Sequence, residues 1–320
     1  MSAPDDAEDG EFGRIARLFR PLTRGAPEAL DLLDDAAVIP QRPGFDLVVT
    51  KDAMVEGVHF LEGEAPDVVA RRLLRVNLSD LAAKGAEPYG AFLAVAWPGT
   101  WDERARATFA RGLGADGERY GVSLLGGDTV SISGPFTASM TLLGWVPAGR
   151  MVRRSGARPG DRLLVSGPIG DGVLGLAAAC GEIEDDEGYL ASRYRLPEPR
   201  LDLRDGLLAH ASAAADVSDG LIADAGHIAR ASRVGLRLAL ECIPLSGPAA
   251  TWLLDQPETA AAMLALASGG DDYQVVCTAP PEQAARLGMT DIGEVTAGSG
   301  VEVSFQGRLL EPGPGGWRHS

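Results

Sequence analysis

The chain has 320 residues and a formal net charge of −16, with 45% hydrophobic and 23% charged residues. This length fits two domains of about 150 residues, which we place at residues 1–150 and 151–320. The acidic balance argues against nucleic acid or an anionic membrane as partner, because either needs a basic surface. Three scattered cysteines and the lack of an apolar run of ~18 residues predict a cytoplasmic protein without a zinc site or a membrane span.

Apolar periodicity predicts an α/β fold. Helices are expected at residues 12–20, 67–84, 102–119 and 221–232, with another after Gly170. Strands are expected at residues 34–39, 89–97, 122–126, 137–146, 162–166, 290–295 and 299–304, with another after Tyr273. One more strand, with a buried pattern, is predicted to run from Asp46 to a polar end near Asp52.

The end of that strand offers oxygen ligands. Alternate strand residues share a face, so Thr50 and Asp52 point one way and Lys51 points the other. A hydroxyl and a carboxylate side by side suit a hard cation such as Mg²⁺. The alternative is an acid that merely faces water. Of Asp34 and Asp35, at most one is expected to join Asp52, because neighbouring strand residues face opposite ways.

The helix predicted at 67–84 carries polar residues inside its apolar sector, namely Asn77, Asp80 and Lys84. Buried polar groups are unfavourable unless they have partners. An internal pair of Asp80 and Lys84 is one explanation. We favour a metal site reached by Asp80, with Lys84 and Asn77 as supporting or phosphate contacts. Four polar residues form the opposite sector: Arg71, Arg72, Arg75 and Ser79.

Further glycine and acid clusters are expected to end strands or begin helices. Gly126-Gly-Asp-Thr129 follows a predicted strand, and its glycines would let a ligand approach the backbone beside Asp128, although an ordinary turn is the alternative. Asp216, Ser218 and Asp219 precede a helix, where Ser218 or Asp219 could also act as its cap. Gly269-Gly-Asp-Asp-Tyr273 repeats the pattern.

Other motifs in the second half are less specific. Arg154 beside Ser155-Gly156 suits nucleotide phosphates, or belongs to a solvated linker. The sequence from Gly170 to Gly175 fits the dinucleotide-binding pattern GxGxxG, but no second strand with an acid follows it, so close packing is the favoured interpretation. Trp317 near the C-terminus is incidental or covers a ring-bearing ligand.

Scattered acids of this kind, if they converge, require divalent cations, which in turn bind polyphosphate. The chain has no GxxxxGK[ST] loop, so metals and a few basic side chains would carry the phosphate charge. Phosphoryl transfer suits such a site, because its catalysis is mostly alignment and charge neutralisation.

Taken together, and in this order along the chain, these motifs resemble the thiamine-monophosphate kinase family, within the superfamily of aminoimidazole ribonucleotide synthetase. The resemblance covers nearly the whole chain. It rests on Asp34-Asp35-Ala, Asp52 with Val55-Glu-Gly-Val-His59-Phe, Val76-Asn-Leu-Ser-Asp80, Gly126-Gly-Asp128-Thr, Arg154-Ser-Gly-Ala, Asp216-Val-Ser-Asp219-Gly-Leu and Gly269-Gly-Asp-Asp-Tyr.

The resemblance implies ATP-dependent phosphorylation of thiamine phosphate to thiamine diphosphate, the last step of thiamine diphosphate biosynthesis. Several Mg²⁺ ions would be held by Asp35, Thr50, Asp52, Asp80, Asp128, Asp216 and Asp219, of which Asp80, Asp128 and Asp216 are expected to be most critical. ATP would contact Gly127, Asp128, Arg154 and Ser218. Thiamine phosphate would contact His59, Asp271 and Trp317.

The implied fold is a two-domain aminoimidazole ribonucleotide synthetase-like α/β fold. Its N-terminal domain, with a mixed sheet and helices, would bind metal and ATP and form a homodimer. Its C-terminal α/β domain would complete the substrate site. Lys51 departs from the small hydroxyl residue usual in the family, and Leu32-Leu33 stand where glycines are usual.

The expected mechanism needs no general base. The acceptor is a phosphate monoester whose second pKa is about 6, so it is already ionised at neutral pH. Direct in-line transfer without a phosphoenzyme is therefore predicted. Two other interpretations remain. The first is another ATP-using enzyme of the superfamily, although two such enzymes need cysteines at positions where this chain has none. The second is a non-catalytic Mg-nucleotide sensor.

Overall fold

The computed structural model describes residues 11–311. These residues form two compact units. One contains the described chain up to Leu78 together with Glu87–Gly149, and the other contains Ser79–Ala86 and the described chain from Arg150 onward. Within residues 11–311, no helix is both long and apolar enough to cross a membrane.

The first unit is built on a four-stranded mixed sheet in the order β1-β4-β2-β3. Its strands are β1 Phe45–Val55, β2 Glu87–Pro98, β3 Ser123–Ile132 and β4 Thr137–Pro147. Its helical segments are α1 Glu11–Arg14, a π-helix Ile15–Phe19, 3₁₀ turns Arg20–Thr23 and Pro27–Leu32, the start of α2 Pro66–Ala83, and α3 Glu103–Tyr120. Stacked and edge-on aromatic rings, with Trp97 and Phe109 centroids 5.4 Å apart, fill part of its core.

The second unit has a seven-stranded mixed sheet in the order β11-β10-β7-β9-β5-β8-β6. Its strands are β5 Arg162–Val165, β6 Ala213–Asp216, β7 Gly235–Ala239, β8 Val275–Ala279, β9 Thr290–Thr296, β10 Gly300–Phe305 and β11 Arg308–Leu310. Its helices are α4 Asp171–Ala179, α5 Tyr189–Arg195, α6 Arg204–His210, α7 Leu221–Ser232, α8 Gly247–Leu254, α9 Thr259–Ser268 and α10 Pro281–Ala284. Short 3₁₀ turns join several of them.

The strand predicted at residues 34–39 is wrong, since residues 33–42 form neither strand nor helix. Leu30, Asp31 and Leu32 have φ values of 47°, 57° and 55°, in the left-handed region that an extended chain does not use. The Val38 N–H then donates to the Glu28 carbonyl at 3.2 Å. The chain therefore turns back on itself where the sequence pattern favours an extended run.

Two predicted strands end later than expected. β1 continues through Val55, so Asp52 lies inside the strand, and as an edge strand β1 is more exposed than its pattern predicts, with Val49 57% exposed. β3 continues to Ile132, so Gly126-Gly-Asp-Thr129 pairs with β2 and does not form a turn. A Cβ at Gly127 would lie 1.9 Å from the Leu93 carbonyl oxygen, so glycine is required there by the neighbouring strand.

Most of the polar sector of α2 is buried as well as the apolar one, with Arg71 only half-buried. Arg75 is 3% exposed, and its Nε donates to Oδ2 of Asp116 on α3 at 2.6 Å. Arg71 donates to the other carboxylate oxygen at 3.2 Å. Charged residues at this depth are tolerated because they are paired.

The GxGxxG segment is a packing feature. A Cβ at Gly172 would lie 2.3 Å from the Gly270 carbonyl oxygen. The N–H groups of Gly170 and Gly172, at the start of α4, donate to the buried carboxylate of Asp272 at 2.9–3.0 Å. A side-chain carboxylate thus occupies the position that a dinucleotide phosphate would take, and burial raises the pKa of Asp272 to about 7.

Asp116→Ala tests the buried pair. The substitution leaves Arg75 without its buried carboxylate and should lower the free energy of unfolding by about 3–5 kcal/mol. Urea denaturation followed by circular dichroism measures the change. Glu118→Ala removes an exposed acid from the same helix and should stay within about 0.5 kcal/mol of the parent. Equal effects of the two substitutions would contradict the assigned role.

Asp272→Asn tests the buried acid at α4. The folded-state pKa of about 7 lies above the ordinary 3.8, so Asp272 adds stability at low pH that is lost as pH rises through about 7. The variant has no such titration. Its unfolding free energy should therefore fall less between pH 5 and pH 8, by about 2–3 kcal/mol, than that of the parent. Asp255→Asn, an exposed acid, should keep the parental pH dependence.

Candidate active site

Two of the predicted motifs lie side by side in the second unit. The loop after β6 and the glycine–acid loop before β8 are joined by backbone hydrogen bonds, since Asp271 N–H donates to the Ser218 carbonyl at 3.0 Å and Tyr273 N–H to the Val217 carbonyl at 2.7 Å. A Cβ at Gly270 would lie 2.4 Å from the Ser218 carbonyl oxygen, which explains the glycine. The structure therefore brings the expected ATP contact Ser218 next to the expected substrate contact Asp271.

The glycine–acid loop has a backbone that few residues adopt. Asp271 has φ 66° and Tyr273 has φ 52°, both in the left-handed region. The Tyr273 hydroxyl donates to Oδ1 of Asp271 at 3.0 Å. Non-glycine residues keep such a conformation only when their surroundings impose it, and this happens most often at ligand sites.

Buried Asp216 and half-buried Lys84 carry opposite charges near the first loop. Asp216 is 4% exposed at the end of β6, and Lys84 Nζ donates to the Ala214 carbonyl on the same strand at 2.8 Å. Burial lowers the pKa of Lys84, and the charge of Asp216 opposes that shift, as does the charge of half-buried Asp80. Lys84 is thus bound to a backbone carbonyl, and its charge interacts with the charges of both acids.

Asp224, which is not among the predicted site residues, fixes the backbone of the first loop. The N-cap residue of α7 is Gly220, which makes no side-chain cap, so neither Ser218 nor Asp219 occupies the cap position that was their alternative role. Oδ2 of Asp224 instead accepts the N–H groups of Ser218 and Asp219, each at 3.0 Å. Burial, followed by the charge of Asp219, raises the pKa of Asp224 to about 7.

A signal for Asp224 was present in the sequence. It lies three residues after Leu221 and four before Ile228, so it belongs to the apolar face of α7. An acid on that face is buried, and a buried acid needs donors.

Arg154 lies on a segment attached to the same region. The Ala214 N–H donates to the Arg153 carbonyl at 2.9 Å, and the Ser232 hydroxyl donates to the Arg154 carbonyl at 3.2 Å. The Arg154 side chain is exposed, and its charge acts on Lys84, Asp224 and His227. This is the arrangement of a basic side chain available to an anionic ligand.

In the first unit, Asn77 joins α2 to β1 at the expected metal ligand. Its Nδ2 donates to the Leu73 carbonyl at 2.8 Å, while its Oδ1 accepts the Asp52 N–H at 3.1 Å. The amide thus sets the backbone position of Asp52. This supporting contact is one of the two roles that the sequence left open for Asn77.

The remaining candidates of the first unit lie on exposed or half-exposed surfaces. Asp35 is exposed in the loop before β1, and Gly127 and Asp128 are exposed on β3. Two strands, β4 and β2, separate Thr50 and Asp52 on β1 from Asp128 on β3. His59 Nδ1 accepts the Val55 N–H at 3.1 Å, which leaves Nε2 as its second polar atom. Trp317 lies outside the described residues.

Comparisons with known proteins cover both units. The N-terminal domain model of AIR synthase related proteins matches residues 33–146, and the C-terminal domain model matches residues 158–306. The thiamine-monophosphate kinase of Caulobacter vibrioides is 58% identical over 327 residues, which cover 99% of this chain and 93% of that relative.

Solved structures give the same result. The crystal structure of thiamine-monophosphate kinase from Stenotrophomonas maltophilia has a TM-score of 0.80 and 34% identity, and covers 95% of this chain and 98% of its own. A structure described as AaThiL complexed with AMPPCP and TMP has a TM-score of 0.79 and 33% identity, with coverage of 88% and 89%. These matches confirm the expected fold class, and the chain belongs to the thiamine-monophosphate kinase family of AIR synthase related proteins.

Proposed function

We propose that this enzyme transfers the γ-phosphoryl group of ATP directly to the phosphate of thiamine monophosphate, the last step of thiamine diphosphate biosynthesis. The observation that carries the proposal is the hydrogen-bonded pair of loops that hold Ser218 and Asp271 beside Asp216, Lys84 and Arg154. A similar structure was obtained with AMPPCP and TMP. For a member of this family, we take these two ligands as an ATP analogue and thiamine monophosphate.

The donor set fits several magnesium ions. Carboxylate and hydroxyl oxygens are the ligands that Mg²⁺ prefers, and in the second unit buried Asp216 and half-buried Asp219 lie on one short loop. The proposed ligands are Asp35, Thr50, Asp52, Asp80, Asp128, Asp216 and Asp219. Bound magnesium would neutralise phosphate charge and align the phosphoryl groups.

The chain's own residues would position ATP. Gly127, Asp128, Arg154 and Ser218 are the proposed contacts, with the exposed guanidinium of Arg154 directed to phosphate oxygens. Lys84 would support the site without contacting ATP directly, because its ammonium group is already bound to the Ala214 carbonyl.

His59, Asp271 and Trp317 are the proposed contacts of thiamine phosphate. The carboxylate of Asp271 suits a cationic thiazolium, and its conformation is imposed by the loop around it. His59 has one ring nitrogen committed to the Val55 N–H. No residue is assigned as a general base, because the acceptor phosphate is ionised at neutral pH.

We also propose a cytoplasmic homodimer formed through the first unit. Both edge strands of its sheet expose apolar side chains, with Leu47 38% and Val49 57% exposed on β1 and Val130 50% exposed on β3. Exposed edges with apolar side chains are usually covered by another element. A second copy of the sheet would cover them.

The direct test is incubation with Mg-ATP and thiamine monophosphate, with thiamine diphosphate measured as its fluorescent oxidised derivative. Product should form only when the metal is present, so EDTA should abolish it and added Mg²⁺ should restore it. Binding of Mg-ATP by folded protein without any product would contradict the kinase proposal and favour a sensor.

Asp80→Asn tests the metal role in an isosteric way. The change should lower kcat by roughly 10²-fold or more and leave the melting temperature nearly unchanged. Asp67→Asn, in the first turn of the same helix, should keep parental kcat. If Asp80→Asn kept the parental activity, the metal role would be contradicted, and the interpretation of Asp80 as an internal partner of Lys84 would be favoured.

A further inference from the structure

Three potential metal ligands meet at the start of α7. Asp219, Asp224 and His227 each offer one ligand atom, and these atoms all lie within 4.8 Å of one another. Asp224 and His227 are three residues apart on the helix, so they share a face. Asp219 reaches them from the preceding loop. The three side chains come from a stretch of only nine residues whose backbone is fixed by hydrogen bonds.

Their spacing is that of ligands around one ion. His227 Nε2 and Asp219 Oδ2 are 3.7 Å apart, which is too long for a hydrogen bond. Two ligands at about 2.1 Å from the same ion lie about 3–4 Å from each other. The side chains of His227 and Asp219 are 31% and 44% exposed, so water or a phosphate oxygen could complete the coordination.

The carboxylate of Asp224 supplies an independent observation. Its side chain is wholly buried, and Oδ2 is used by the Ser218 and Asp219 N–H groups. Oδ1 is also buried and has no hydrogen-bond partner among residues 11–311. A buried acceptor without a donor is unfavourable and calls for an explanation such as an ion.

We propose that Asp219, Asp224 and His227 form a mixed nitrogen and oxygen site that binds a divalent first-row transition ion in preference to Mg²⁺. Magnesium favours oxygen ligands and retains its water, whereas imidazole nitrogen suits transition ions such as Fe²⁺ and Zn²⁺, and Mn²⁺ is a paramagnetic probe that also binds the carboxylates. Because Asp219 is also among the residues proposed to hold magnesium, the inference rests on the proposed function for that residue. It adds Asp224 and His227, and with them a choice of metal.

The charge of Arg154 also acts on this cluster, since it lowers the pKa of both Asp224 and His227. Its side chain is long and exposed, so it can turn towards solvent or a nucleotide when an ion binds.

The test uses metal-free full-length protein titrated with Mn²⁺ and followed by electron paramagnetic resonance. Pulsed spectra should show coupling to a ¹⁴N nucleus. A histidine ligand gives this coupling, whereas a site made only of carboxylates does not. About a tenfold excess of Mg²⁺ should leave most of this coupling in place. In His227→Ala the coupling should vanish and the affinity of this Mn²⁺ site should fall at least roughly 10-fold.

His210→Ala is the matched control, because His210 is a half-buried histidine at the end of α6. It should keep the nitrogen coupling. His227→Gln provides a second variant that retains a polar side chain, and it should lose the coupling as His227→Ala does. Absence of coupling in the parent, or its persistence in either His227 variant, would overturn the inference.

The Mg²⁺-dependent kinase assay separates this inference from the proposed function. Kinase activity without nitrogen coupling would refute the mixed site and leave the kinase standing. Nitrogen coupling without kinase activity would establish the metal site and refute the proposed reaction.

Discussion

Buried carboxylates that accept backbone N–H groups hold the candidate site in place. Asp272 accepts from Gly170 and Gly172, and Asp224 accepts from Ser218 and Asp219. Burial raises the pKa of each acid to about 7, which shows that the donors offset the loss of hydration only in part. Hydrogen bonds to ionised groups are among the stronger ones, at about 1.5–3 kcal/mol. The backbone positions of Gly170, Gly172, Ser218 and Asp219 depend on these two buried carboxyl groups.

Much of the fold and the places of the candidate loops in the chain could be predicted from sequence, because both follow local patterns. Apolar periodicity gave most long helices and strands, and isolated acids beside glycines identified the loops around Asp216 and Asp271. The roles of Asp224 and Asp272 were not predicted. Asp272 meets its donor 102 residues away in the chain, and no local pattern reports such a contact.

The errors have equally specific causes. The strand expected at 34–39 fails because three preceding residues adopt left-handed φ values that composition does not reveal. β3 runs past its glycines because a bulge beside Ala91 lets the strand continue pairing. The arginine sector of α2 is buried because Asp116, 41 residues from Arg75, neutralises it. In the last two cases, contacts with a neighbouring element override a local preference.

The grouping of Ser79–Ala86 with the second unit means that this unit is not one continuous stretch of chain. Ala83, at the end of α2, is wholly buried against a cluster that includes Leu164 and Leu207, and the Val152 N–H donates to the Lys84 carbonyl at 3.2 Å. A gene fragment that starts at residue 150 would lack the segment Ser79–Ala86 and would expose the apolar residues that Ala83 covers. Recombination between relatives at that boundary would therefore have to transfer the end of α2 together with the core that receives it.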